Sequence, residues 1–168
     1  MQNTVNIKQT PGIPGDFYDN SPRRVAPAIL VTAGTSGVLP EIGQPFFYTD
    51  LATDPRKAAT GVEAVDGGTA AFAGVLVNGK ELVRTNGLTA GLTVSVNSIG
   101  SLCTMGHVWI KVPGLTVTVE DKIYYDVAGG TYTTSATVSG DTVSNVLIGK
   151  AVAVNAASGE MCVLELLN

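Results

Sequence analysis

Few residues in this chain are able to do chemistry, and their spacing argues against most catalytic designs. There is one histidine, His107, and there are two cysteines, Cys103 and Cys162. A zinc site built on two histidines is therefore excluded, and the cysteines stand too far apart in sequence for metal-ligand spacing. A Ser-His-Asp relay needs a presented nucleophile, yet no G-x-S-x-G elbow occurs. The nearest string, "GTSG" at 34–37, has its glycines at the wrong spacing. Glu120 and Asp121 are the only adjacent acidic pair. Neighbours on a strand point to opposite faces, so the pair reads as a solvated turn rather than carboxylates facing across a cleft. "GDFYDN" places Asp16 and Asp19 three residues apart without supporting calcium ligands. Neither a G-x-G-x-x-G nor a G-x-x-x-x-G-K-[ST] phosphate loop is present. These counts assign no catalytic, cofactor-binding or metal-ligating residue. The expectation is a protein that is not an enzyme and carries no cofactor, with His107 in a structural or surface role. Both cysteines lie in apolar strings, "SLCTM" and "EMCVLEL", and read as buried free thiols, with a disulfide as the open alternative.

The remaining question is what such a surface binds. Of 168 residues, 45% are hydrophobic and only 14% charged, with a net charge of −4. That argues for a folded core and against disorder. A surface so poor in charge is often one that partners cover. The sign is wrong for a nucleic-acid groove, which gains affinity through clustered Lys and Arg. Arg23/Arg24 and Arg56/Lys57 are the only adjacent basic pairs. The opening "MQNTVNIKQT" lacks a signal-peptide core, and no stretch of about 20 apolar residues exists to span a membrane.

Two regions differ in grammar. Residues 1–27 hold four of the eight prolines (Pro11, Pro14, Pro22 and Pro27). Proline fixes φ, removes a backbone donor and biases its predecessor towards extended geometry. The expectation is an extended N-terminal arm at 1–27 lying across a surface. From residue 28 to 168 short Val- and Thr-rich runs alternate with glycine turns, as in a single β domain. "AILVTAG", "QPFFYTDL", "LTVSV", "HVWIKV", "LTVTVEDKIYYDV", "TYTTSATV" and two runs near the C-terminus read as strands. "AAFAGVLVNGKELV" reads as a hairpin turning at Asn78-Gly79. "TDPRKAA" reads as one helical turn, with Asp54 as N-cap and Pro55 at the first helical position. Roughly nine to eleven strands result. The fold class is all-β: a compact barrel or sandwich of short antiparallel strands with an extended N-terminal arm.

The order of these pieces is familiar. "Gly-Asp-Phe-Tyr" at 15–18 is followed by "ILVTAGTSGVLPEIGQPFFYTD", then "GTAAFAGVLVNG" and a Val/Thr/Gly-rich β half. In this order the chain resembles the structural cement (decoration) proteins of tailed-phage capsids, the Gp24-like kind, over roughly its whole length. The resemblance implies a virion protein, made in the host bacterial cytoplasm, on the outer surface of the head. It implies binding to the major capsid protein, self-association as a homotrimer and no catalytic residue. On that reading Pro14, Gly15, Asp16, Phe17, Tyr18, Arg23 and Arg24 are the expected capsid contacts. Phe17 and Tyr18 would be aromatic anchors, and the arginines would pair with carboxylates. The alternatives are another virion β module (a tail or fibre component), a surface glycan-binding domain, or a small hydrolase on a barrel.

Overall fold

One long strand organises the molecule. The run "HVWIKV" extends backwards through "SLCTMG", so that Ile99–Lys111 forms a single 13-residue strand, β5. The computed structural model of the protein describes residues 12–32, 39–49, 54, 56–60, 71–79, 92–127, 129–137, 145–154 and 160–166. Among them are nine strands and no helix. The strands before β5 are β1 (Arg24–Val31), β2 (Pro45–Tyr48), β3 (Lys57–Ala59) and β4 (Phe72–Leu76). Those after it are β6 (Lys122–Asp126), β7 (Thr131–Thr133), β8 (Val146–Val154) and β9 (Met161–Leu166).

The two halves of β5 serve two layers. Its first half pairs with β1 and β4, closing a ring in the order β1-β3-β2-β4-β5. Closure removes the free strand edges that an open sheet leaves available for pairing. The β1–β3 pair is parallel and the other described pairs are antiparallel. The second half of β5 leads a further sheet, β5-β9-β8-β6-β7. The change of course falls at Gly106, whose φ of 125° is closed to most side chains. The expected barrel or sandwich is thus a closed barrel with an added sheet packed on its outside.

Alternation within single strands fills two cores. Leu30, Phe46, Ala58, Ala73, Leu76 and Leu102 fill the bore, small residues beside large ones. Their strand neighbours Phe47, Ala59, Val75 and Cys103 point outward, into a second core between the barrel and the added sheet. There they meet Val108, Ile110, Ile123, Tyr125, Ile148 and Leu164. Phe47 stacks on Tyr125 with ring centroids 5.7 Å apart. Both cysteines are free and buried in this second core. Burial raises both thiol pKa values, that of Cys162 to about 12, which keeps them protonated and unreactive.

Several local expectations resolve differently. The Asp54 cap is made, its carboxylate accepting the Arg56 N–H (3.3 Å) and its carbonyl the Lys57 N–H (3.2 Å), but a strand rather than a helix follows it. That turn opens β3, whose apolar Ala58 and Ala59 are each needed in a different core. Proline at position 55 lies outside the described residues, as does the second half of the hairpin beyond Gly79. Within "LTVSV", Thr93 forms an isolated bridge to Glu41 and no longer strand develops. Residues 115–118 likewise form no strand. The Asp121 carboxylate accepts the Thr118 N–H at 2.7 Å and turns the chain just before β6. Glu120 and Asp121 therefore sit in a turn.

Candidate functional site

The arm sequence raises the first question about function, because residues 12–23 lie on the body. Ile13-Pro14-Gly15-Asp16 is a tight turn in which the Asp16 N–H donates to the Ile13 carbonyl at 3.0 Å. Proline in second place and glycine at φ 84° in third are the residues a type II turn requires. The chain then runs antiparallel to the second half of β5, with Phe17 opposite Val108. Gly15 N donates to Trp109 O (2.7 Å), Trp109 N to Asp16 O (2.9 Å) and Tyr18 N to His107 O (2.9 Å). After a bend at 18–21 the same course continues as β1. Residues 15–31 thus follow β5 along almost its whole length. The four residues from Arg24 to Pro27, expected in the arm, open β1. Pro27 is tolerated because β3 joins β1 only from Ile29, so the missing N–H falls beside a single neighbour.

The expected contact residues take up distinct positions on this strap. Gly15 is buried, Pro14 and Asp16 are half-buried, and Asp16 Oδ1 accepts the Asn78 side-chain amide at 3.2 Å. The Phe17 ring packs against the second core, and the Arg23 guanidinium lies 4.2 Å above its centroid. Tyr18 meets Trp109 edge-on at 5.7 Å. Gly12 lies against the indole of Trp109, where a Cβ would collide. Arg23 and Arg24 are exposed. The aromatics therefore hold the strap down, and the arginines face out.

A line of charge fastens the same strap. His107 Nδ1 lies 2.7 Å from Asp19 Oδ2, and Nε2 lies 3.9 Å from Glu165. Glu165 pairs with Lys150 (3.6 Å), and Lys150 with Glu120 (3.2 Å). Ser21 Oγ is 3.5 Å from the same Nδ1 that Asp19 uses. A catalytic relay needs the acid and the nucleophile on opposite ring nitrogens, so this constellation fastens rather than activates. Among the described residues no group of three or more His, Cys, Asp or Glu is placed to hold a metal ion.

The hydrogen bond from His107, with those from Ser21, lowers the Asp19 pKa from 3.8 to about 2. A carboxylate with a depressed folded-state pKa stabilises the fold above its unfolded value, and the contribution fades as pH falls through the folded one. Asp19→Asn should therefore weaken the strap at pH 5 and above, and its difference from wild type should close between about pH 4 and pH 2. Emission from Trp109, the chain's single tryptophan, reads this directly. A difference that persists at pH 2 would show that Asp19 acts otherwise.

One surface escaped the sequence reading. Val25, Pro27, Ile29 and Ile99 share the outer face of the β1–β5 pair, with Arg56 beside them. Alternation in "RVAPAIL" carries the signal. It was hidden because Pro27 reads as a strand breaker.

Fold and surfaces together define an all-β protein, a closed barrel with an added sheet and a strapped N-terminal segment. The chain belongs to the phage structural cement family: the family profile described as "Structural cement protein (E217 gp24/Pam3 gp6)" matches residues 1–167. Its fold is similar to a chain of the solved structure "The capsid of Myoviridae Phage XM1". The TM-score is 0.59 at 12% identity, covering 99% of this chain and 96% of that one. No curated protein matches the chain.

Proposed function

We propose that this cement protein sits on the outer surface of a tailed-phage head, binds the major capsid protein and clamps neighbouring subunits against the pressure of the packaged genome. The family match over residues 1–167 carries this reading. The protein acts as a homotrimer, so that several weak contacts combine into one attachment. Such multivalency raises avidity by roughly 10²–10⁴ over a single contact. Arg23 and Arg24 reach the capsid, while Pro14, Gly15, Asp16, Phe17 and Tyr18 shape and hold the ridge that presents them. The arm is completed by residues 1–11, outside the described part. Fully extended, they would span on the order of 35–40 Å, enough to reach an adjacent subunit.

Mixing the purified protein with emptied cognate heads and pelleting them tests the reading. The protein should co-sediment with expanded heads and raise their resistance to heat and low salt. A chain starting at Gly12 should bind more weakly. Failure to co-sediment with any form of the head would sink the proposal, and equal binding to procapsids would remove its dependence on the mature lattice.

A further inference from the structure

The outer face of the β1–β5 pair has the wrong composition for a solvated surface. In a sheet with one face on a core, the other face normally alternates to polar residues. Ala28, Leu30 and Leu102 fill the bore as expected. Yet Val25, Pro27 and Ile29 on β1 and Ile99 on β5 all point the other way. Ile29 stands directly opposite Ile99 in the ladder, and Pro27 opposite Ser101. Ile99 is 60% exposed and Val25 40%. Pro27, Ile29, Ile99 and Arg56 border an open hollow of about 250 Å³.

Charge brackets this apolar row. At one end Arg24 is exposed and has no carboxylate partner among the described residues. At the other end Arg56 and Lys57 share a single carboxylate, Asp54, at 3.3 and 3.4 Å. From Arg24 to Ile29 is five residues, roughly 17 Å of strand. A chain of net charge −4 has thus placed both of its adjacent basic pairs at the ends of one apolar row. Two copies joined face to face about a twofold axis would bring these positive ends together, which costs affinity. The complementary occupant is apolar at its centre and carries carboxylates on both sides.

We propose that Val25, Pro27, Ile29 and Ile99, bracketed by Arg24 and Arg56, dock onto an apolar, carboxylate-flanked surface of a capsid subunit. This rests on the cement reading and adds to it a second contact, on the barrel wall rather than the strap. An apolar centre ringed by charge pairs is the usual anatomy of a specific protein interface. The hollow beside Ile99 takes a single apolar side chain from the partner.

The test titrates wild type, Ile99→Glu, Val25→Glu and Arg24→Glu against emptied cognate heads. Sedimentation velocity of the free proteins and their thermal midpoints are measured alongside. Because Ile99 and Val25 are exposed, both glutamate variants should fold; using one on each strand guards against a local fault in either. Each should bind at least about tenfold more weakly than wild type, with the free oligomer unchanged. Arg24→Glu should also bind more weakly and flatten the salt dependence of binding. Wild type binding with undiminished Ile99→Glu and Val25→Glu binding would overturn this inference and leave the cement reading standing. Dissociation of the free oligomer by Ile99→Glu would overturn it in favour of contact between copies. No binding by wild type would remove both.

Discussion

A chain beginning at Arg24 should lose at least about 3 kcal/mol of folding stability and shift Trp109 emission to the red, relative to the full chain. The residues removed include a stretch of sheet. Three backbone hydrogen bonds join Gly15, Asp16 and Tyr18 to His107 and Trp109, at 2.7 to 2.9 Å. Their loss turns the second half of β5 into an open edge. Phe17 leaves the second core, and burying such a ring contributes about 1.5–3 kcal/mol, less here because it is only partly covered. Tyr18 and Gly12 leave the indole of Trp109, now 8% exposed, open to water. His107 loses Asp19 and keeps only the more distant Glu165. Urea unfolding and tryptophan emission check the result. An unchanged midpoint with unchanged emission would mean that the strap is an ornament on a self-sufficient body. If the expectation holds, weakened head binding by such a truncation would not by itself identify a capsid contact, which is why the chain beginning at Gly12 is the better probe of the arm.

Phe47→Ala should destabilise the protein by about 3–5 kcal/mol, the range for emptying a fully buried aromatic site. Phe47 is 0% exposed and lies between the layers. It stacks on Tyr125 at 5.7 Å and meets Phe72 edge-on at 6.0 Å, and Tyr125 in turn packs against Tyr132 at 5.2 Å. The cavity cannot collapse easily, because one wall is the closed barrel and the other a sheet pinned to it through β5. A domain is typically stable by only about 5–15 kcal/mol, so a large share of the total is at stake. With a urea slope of about 2 kcal/mol per molar, the midpoint should fall by roughly 1.5–2.5 M. A fall of less than about 0.5 M would mean that the two layers are held together elsewhere. Phe46→Ala, one residue away, empties the bore instead, so the two variants separate the contributions of the two cores.

Local pattern made the fold class readable. The strands at "AILV", "PFFY", "HVWIK" and "MCVLEL" announced themselves by β-branched and aromatic residues and by glycine punctuation, signals that depend only on near neighbours. The same signals misled where a distant partner decides. "DPRKAA" carries a helix-start signature, yet Ala58 and Ala59 are required in two different cores, and the Asp54 cap opens a strand instead. "LTVTVE" alternates well, but Asp121 closes a turn on Thr118 before a ladder forms.

The strap shows the limit most clearly. The prolines and glycines of residues 12–27 announce a leading segment without helical period, because φ restriction is local. They do not announce where it lies. That depends on the free edge of β5, the face of Trp109 and the carboxylate of Asp19 meeting His107, across about 90 positions of sequence. Composition and periodicity, then, determined an all-β chain with a distinctive leading segment. The tertiary structure alone decided that the barrel closes, that β5 serves both cores, and that Val25, Pro27, Ile29 and Ile99 form one row on the outer face. Propensity and alternation act between residues a few places apart, whereas ring closure, register and shared surfaces are set by strands that meet only once the chain has folded.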